Sequence, residues 1–181
     1  MLENEFVNAA RDHWDEMDPR IKSENIRQTI ILMAKALDAG RLDKVSSFQP
    51  YDDTLAGVGL KMAELDSLFG INYGSIEMEE VLRISNEALR KGSYDEVLGH
   101  VFHEVWHKRD AKMADDLMSV VTNRKFTKAE REHAMLVALN YMNYISNKKD
   151  PEKYQIQYVE HSSYYFANHF KKIFKKKTEG H

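Results

Sequence analysis

The sequence predicts an α+β fold, mostly helical, with a small sheet beside one central helix. Three observations carry this expectation. Apolar residues recur at helical spacing near both ends of the chain, the period drops to two in the middle, and turn residues separate these blocks. Strands and helices segregated along a chain belong to the α+β class. One domain over residues 1–181 is expected, with a helical part at 1–50 and a basic tail at 171–181.

Residues 2–14 read as a short helix. Over 22–39, Ile26, Ile30, Met33 and Leu37 recur at helical spacing, and Gly40 follows the end. The period then changes. Val58, Leu60 and Met62 alternate with Gly59, Lys61 and Ala63, while Ile76, Met78, Leu82 and Ile84 share one parity against Glu77, Glu79 and Arg83. Alternation of this kind predicts two half-buried strands, and Gly70, Asn72 and Gly74 supply turn residues between them. Ser93-Tyr94-Asp95-Glu96 is a capping box, in which hydroxyl and carboxylate each satisfy a free amide at a helix start. Val97, Leu98, Val101, Phe102 and Val105 form the apolar stripe of that helix. A second capping box, Thr127-Lys128-Ala129-Glu130, opens a helix whose expected stripe is Met135, Leu139, Met142 and Ile145. Asp150-Pro151, a cap followed by proline at the first helical position, starts a last helix running toward Phe174.

Composition narrows the function classes. A hydrophobic fraction of 43% and a charged fraction of 30% over 181 residues describe a globular chain. The net charge of −3 provides no general attraction to nucleic acid, so such a partner is not expected. The absence of cysteine excludes a disulfide scaffold, thiolate ligands and a cysteine nucleophile. The first twenty residues are acidic and lack the apolar core of a signal peptide, and no apolar run reaches spanning length, so a cytoplasmic protein with no membrane partner is expected.

The residues that point to chemistry are His103-Glu104-Val105-Trp106-His107. On a helix, positions i and i+4 share a face, so two imidazoles there converge on one zinc ion (Zn2+). The glutamate between them lies beside the metal, where as general base it takes a proton from a zinc-activated water. Two buried structural histidines are the alternative, and the capped, striped helix around the motif argues against it. His100, one turn earlier, reads as a surface or supporting group. A catalytic zinc site needs a third protein ligand. Asp110 and Met113 stand where an HExxHxxGxxH continuation requires glycine and histidine, which excludes that class. Glu160 is the leading candidate: it falls on the stripe Ile156, Ser163, Ala167, Phe170 and Phe174, where a carboxylate is costly unless paired or metal-bound. His133 is second, followed by Asp110, His161 and Asp116.

The run Ile76–Ile84, the H-E-V-W-H helix and the segment Tyr154–Glu160 together resemble the small gluzincin-type metallopeptidases of phages and mobile elements, with the ImmA/IrrE-type peptidases as the best-known relatives in style. The resemblance implies a zincin-like fold, zinc ligands at His103, His107 and Glu160, and Glu104 as general base. It also implies that the Ile76–Ile84 strand borders the cleft and takes a peptide substrate as an added strand. Peptide hydrolysis further requires a group to stabilise charge on the carbonyl oxygen, and Tyr154 is named for it, ahead of Tyr158 and His161. The function expected is a zinc metallopeptidase acting on a specific protein or peptide. The alternative is an inactive zincin-like zinc-binding interaction module. Lys171, Lys172, Lys175, Lys176 and Lys177 read as a solvated helix end that complements the helix dipole.

Overall fold

The structure, a computed structural model, describes residues 5–39, 86–119, 124–147 and 149–179, together with the backbone of 44–45, 56–58 and 81–84. Seven helices are described: α1 (Glu5–Asp12), α2 (Pro19–Ala36), α3 (Asn86–Lys91), α4 (Tyr94–Met118), α5 (Lys128–Met142), α6 (Pro151–Ile156) and α7 (Tyr158–Glu179). A short 3₁₀ turn, Trp14–Glu16, joins the first two.

The α+β expectation is corrected. Every regular element whose side chains are described is a helix, so the class is all-α. Backbone pairing links three short segments, Lys44–Val45, Ala56–Val58 and Val81–Ile84, with the last in the middle. Ladders of two, three and four residues do not make a layer of a fold. The alternation over 58–84 is a local signal, whereas the core is built by helical stripes. Residues 59–63 and 76–80 of the two predicted strands, and the turn residues between them, lie outside the described residues, and with them most of the strand expected to receive a substrate.

Local chemistry explains where helices start. Asp18 caps α2 by accepting the Arg20 amide, and Pro19 occupies the first turn, so this helix begins three residues before the expected 22. Both capping boxes form as read, Ser93 with Glu96 on α4 and Thr127 with Glu130 on α5. The main core joins α2, α3, α4 and α7 through Ile26, Ile30, Met33, Leu89, Val97, Leu98, Val101, Phe102, Val105 and Ala167. Phe102 lies against Phe166 and Phe170, which fixes α7 along α4.

Helix α5 departs from its predicted register. Its buried face is Ala134, Val137, Ala138 and Tyr141, while Met135, Leu139 and Met142 point to solvent, Leu139 with 55% of its surface exposed. The helix carries two apolar stripes, and the one holding two alanines wins. Small side chains let α5 approach Ala111 and Ala114 of α4 closely. The last helix also differs: it breaks at Gln157 into α6 and α7. Ile156, assigned to the inward stripe, is on the outer side of that break and 77% exposed. No helix of the described residues is long and apolar enough to cross a membrane.

Candidate metal centre

Helix α4 presents His103 and His107 one turn apart on its inner face, and the first turn of α7 presents Glu160 opposite them. All three are buried, with exposures of 6%, 7% and 1%. The two Nε2 atoms are 2.9 Å apart. Glu160 Oε2 lies 3.3 Å from His103 Nε2 and 3.4 Å from His107 Nε2. Among the described residues this is the group of histidine and acidic side chains arranged to hold a metal ion.

The distances bear on what the three atoms share. Ligands ~2.0–2.1 Å from a tetrahedral zinc ion are ~3.3–3.4 Å from one another, close to both nitrogen–oxygen separations here. The nitrogen–nitrogen edge is shorter, which corresponds to a narrower angle at the centre. Hydrogen bonding alone leaves the group unsatisfied. Glu160 Oε2 is buried with no donor aligned on it, and the His103 Nδ1 atom is likewise without a partner. One proton shared between two imidazoles serves two lone pairs, whereas a divalent cation serves all three. The donor set, two imidazoles and a carboxylate, suits zinc.

The surroundings orient these donors. Ser163, one turn beyond Glu160, places its Oγ 3.2 Å from His107 Nδ1 and donates to Val159 O at 2.8 Å. The Tyr144 hydroxyl donates to Glu160 Oε1 at 2.9 Å, which leaves Oε2 as the oxygen facing the imidazoles. Tyr164 lies against the His103 ring, with centroids 4.3 Å apart. Burial pushes the Glu160 carboxyl up, but the imidazoles of His103 and His107 and the Tyr154 hydroxyl outweigh it and hold the group well below its ordinary value. For His107 burial acts downward, and Glu160 with the charges of Glu104 and Asp110 reverses it, leaving the imidazole raised. Tyr144, Tyr154 and Tyr164 are all raised, first by burial and then by the charge of Glu160. They are therefore neutral phenols, and the Tyr144 hydroxyl donates to the carboxylate.

Glu104 is partly buried, with Oε1 4.0 Å from His103 Nε2, beside the three donors and not among them. Tyr154 is half-buried and interacts with the Glu160 carboxylate and with Tyr144. It thus sits beside the Glu160 carboxylate, next to the three donors. His133 is away from the three donors: its Nε2 pairs with Asp110 Oδ1 at 2.7 Å and its Nδ1 with the Tyr158 hydroxyl at 2.7 Å. Asp110, fully buried, also accepts from Arg109 at 3.1 Å and from Ser162 at 3.2 Å. Asp116 pairs with Lys112 and Arg124, and His161 is exposed. His100 is half-buried, its pKa lowered by burial and then by the charge of Lys171. Nothing in the sequence marks Tyr144: it follows α5 in an irregular stretch, where no periodicity singles out a facing side chain. Comparison with protein-family models, curated proteins and solved structures finds no match.

Proposed function

We propose that this protein is a zinc-dependent metallopeptidase of the gluzincin type, with His103, His107 and Glu160 as ligands and Glu104 as general base. The observation that carries the reading is the convergence of two imidazole nitrogens and one carboxylate oxygen with no hydrogen-bond donor aligned on it in a buried space, with a second carboxylate beside them. A zinc ion held by these residues supplies a Lewis acid and lowers the pKa of water toward ~7. Glu104 takes a proton from the attacking water and passes it to the departing amine. His103, His107 and Glu160 would hold that ion, and the Tyr144 hydroxyl keeps the Glu160 carboxylate from turning by donating to Oε1. The low dielectric around the buried donors strengthens each of these interactions. The substrate class is a peptide or protein, acted on in the cytoplasm.

Elemental analysis together with peptide cleavage followed by mass spectrometry tests the reading. Wild type and Glu104→Gln are each expected to carry about one zinc, and only the wild type to cleave. Full cleavage by Glu104→Gln refutes the mechanism, and absence of zinc from protein prepared with zinc refutes the site. The burial of all three donors favours one second reading, a closed structural zinc site in an interaction module. Under that reading zinc is bound, chelation lowers folding stability, and no peptide is cleaved.

A further inference from the structure

The helix break before Glu160 is tied, residue by residue, to helix α5 and the turn after it. Gln157 leaves the helical conformation (φ −59°, ψ 145°), and its buried side-chain amide pairs with the backbone of Ile145 as a strand neighbour would. Oε1 accepts from Ile145 N at 2.7 Å, and Nε2 donates to Ile145 O at 2.8 Å. Oε1 also accepts from Asn140 Nδ2 at 3.3 Å, and Nε2 donates to Tyr154 O at 3.2 Å. The next residue, Tyr158, meets His133 of α5 through its hydroxyl. The one after, Val159, donates its amide to Asn140 Oδ1 at 2.9 Å. Glu160 then follows, held at Oε1 by Tyr144. Through Asp110 the same His133 reaches back to α4, the helix that carries both histidines.

A helix start leaves amides without acceptors in its own first turn, and these are normally capped by a side chain next to them in sequence. Here the Val159 amide is capped from another helix. Such a bond fixes not only the start of α7 but its rotation and height relative to α5. Glu160 is one residue beyond the capped amide, so any slip of that turn moves its carboxylate directly.

We propose that Asn140 and Gln157 are positioning residues for the third metal ligand: they hold the first turn of α7 at the rotation that brings Glu160 Oε2 to the two imidazoles. The inference rests on the metal reading above and adds a prediction about residues that touch no ligand atom. Loss of outer partners of metal ligands weakens metal affinity about 10- to 100-fold. Asn140→Ala and Gln157→Glu are expected to do so for Zn2+, measured by competition with a chromophoric chelator. Gln157→Glu is close to isosteric and keeps the acceptor toward Ile145 N while losing both donated bonds.

A structural role alone would lower stability and leave the bound metal unchanged, so the deciding readout is the visible spectrum of the Co2+-loaded protein, which reports ligand number and geometry. The wild type is expected to show the intense bands of a four-coordinate ion, and the two variants altered or weakened bands. Asn140→Asp, which retains the acceptor for the Val159 amide and loses only the longer bond to Gln157 Oε1, is expected to recover most of the affinity and the wild-type spectrum. Asn140→Ala and Gln157→Glu proteins that fold, by circular dichroism, and bind both ions with wild-type affinity and spectrum overturn the proposal. Should Asn140→Ala fail to fold, Gln157→Glu decides it by the same two measurements. A wild type that binds neither ion fails at the earlier step and removes the metal reading along with this one.

Discussion

Replacing Glu160 by glutamine removes one donor lone pair and leaves the packing nearly intact. Glutamine keeps an acceptor for the Tyr144 hydroxyl, now 2.9 Å from Oε1, but turns an amide NH2 toward His103 and His107 in place of Oε2. The consequence is readable as thermal stabilisation by metal. A ligand that binds only the folded state adds RT ln(1 + [L]/Kd), about 2.7 kcal/mol at a hundred times Kd. For a domain of this length each kcal/mol raises Tm by about 2–4 °C, so zinc at that excess raises the wild-type Tm by roughly 5–11 °C. Losing a direct ligand costs at least the ~100-fold that loss of an outer partner reaches. At the same zinc concentration Glu160→Gln is then near half-saturation, gains about 0.4 kcal/mol, and shifts by about 1–2 °C. Glu104→Gln keeps the full shift, because Glu104 Oε1 is 4.0 Å from the nearest imidazole nitrogen and is not one of the converging donors. Differential scanning fluorimetry with and without zinc, after chelator treatment, reads all three proteins. A full shift in Glu160→Gln refutes the assignment of the third ligand, and loss of the shift in Glu104→Gln refutes the division of labour between the two glutamates.

Three more outcomes follow from the same geometry. In metal-free protein the raised His107 pKa contributes stability that is fully present below the ordinary 6.5 and is lost as pH rises through the folded value, while the lowered Glu160 contributes above 4.5 and loses it in acid. Zinc binding requires neutral imidazoles, so the zinc-loaded protein loses stability in the opposite direction, as acidification displaces the metal. Melts at about pH 6 and about pH 8 in chelator and in zinc should therefore show opposite trends, and parallel trends would disprove the site. Tyr144→Phe leaves Glu160 Oε1 without its donor and should weaken zinc about 10-fold or more in chelator competition, with no change in Co2+ stoichiometry; unchanged affinity would show that the hydroxyl does not orient the ligand. Urea denaturation separates the two faces of α5: Val137→Ala should cost about 2 kcal/mol, whereas Leu139→Ala should stay within about 0.5 kcal/mol, and the reverse ranking would restore the register expected from the apolar spacing.

Much of the site was legible because its signals are local. HExxH places two imidazoles on one face through helix geometry alone, and the capping boxes that start α4 and α5 lie within four consecutive residues. Glu160 stood out because a carboxylate on an apolar stripe needs an explanation. What was not legible depends on a second surface. The choice between the two stripes of α5 was decided by which one lets α4 come close, and spacing carries no information about that. The α+β class was inferred from alternation over a short stretch, and alternation does not reveal whether a ladder grows into a layer.

The residue types of a candidate metal site, the register of its two histidines and the inward pull on one glutamate are thus legible in the sequence, each within one helix, α4 for the histidines and α7 for the glutamate. Packing between helices is what breaks the last helix at Gln157, lets Asn140 cap the new start, and brings the Tyr144 hydroxyl to Oε1 of Glu160. These bonds join residues 12 to 19 positions apart, across the turn after α5 and the short helix α6. The period of one short helix does not report what faces it across a turn, so only the packing of α5 against α7 brings those groups within hydrogen-bonding distance.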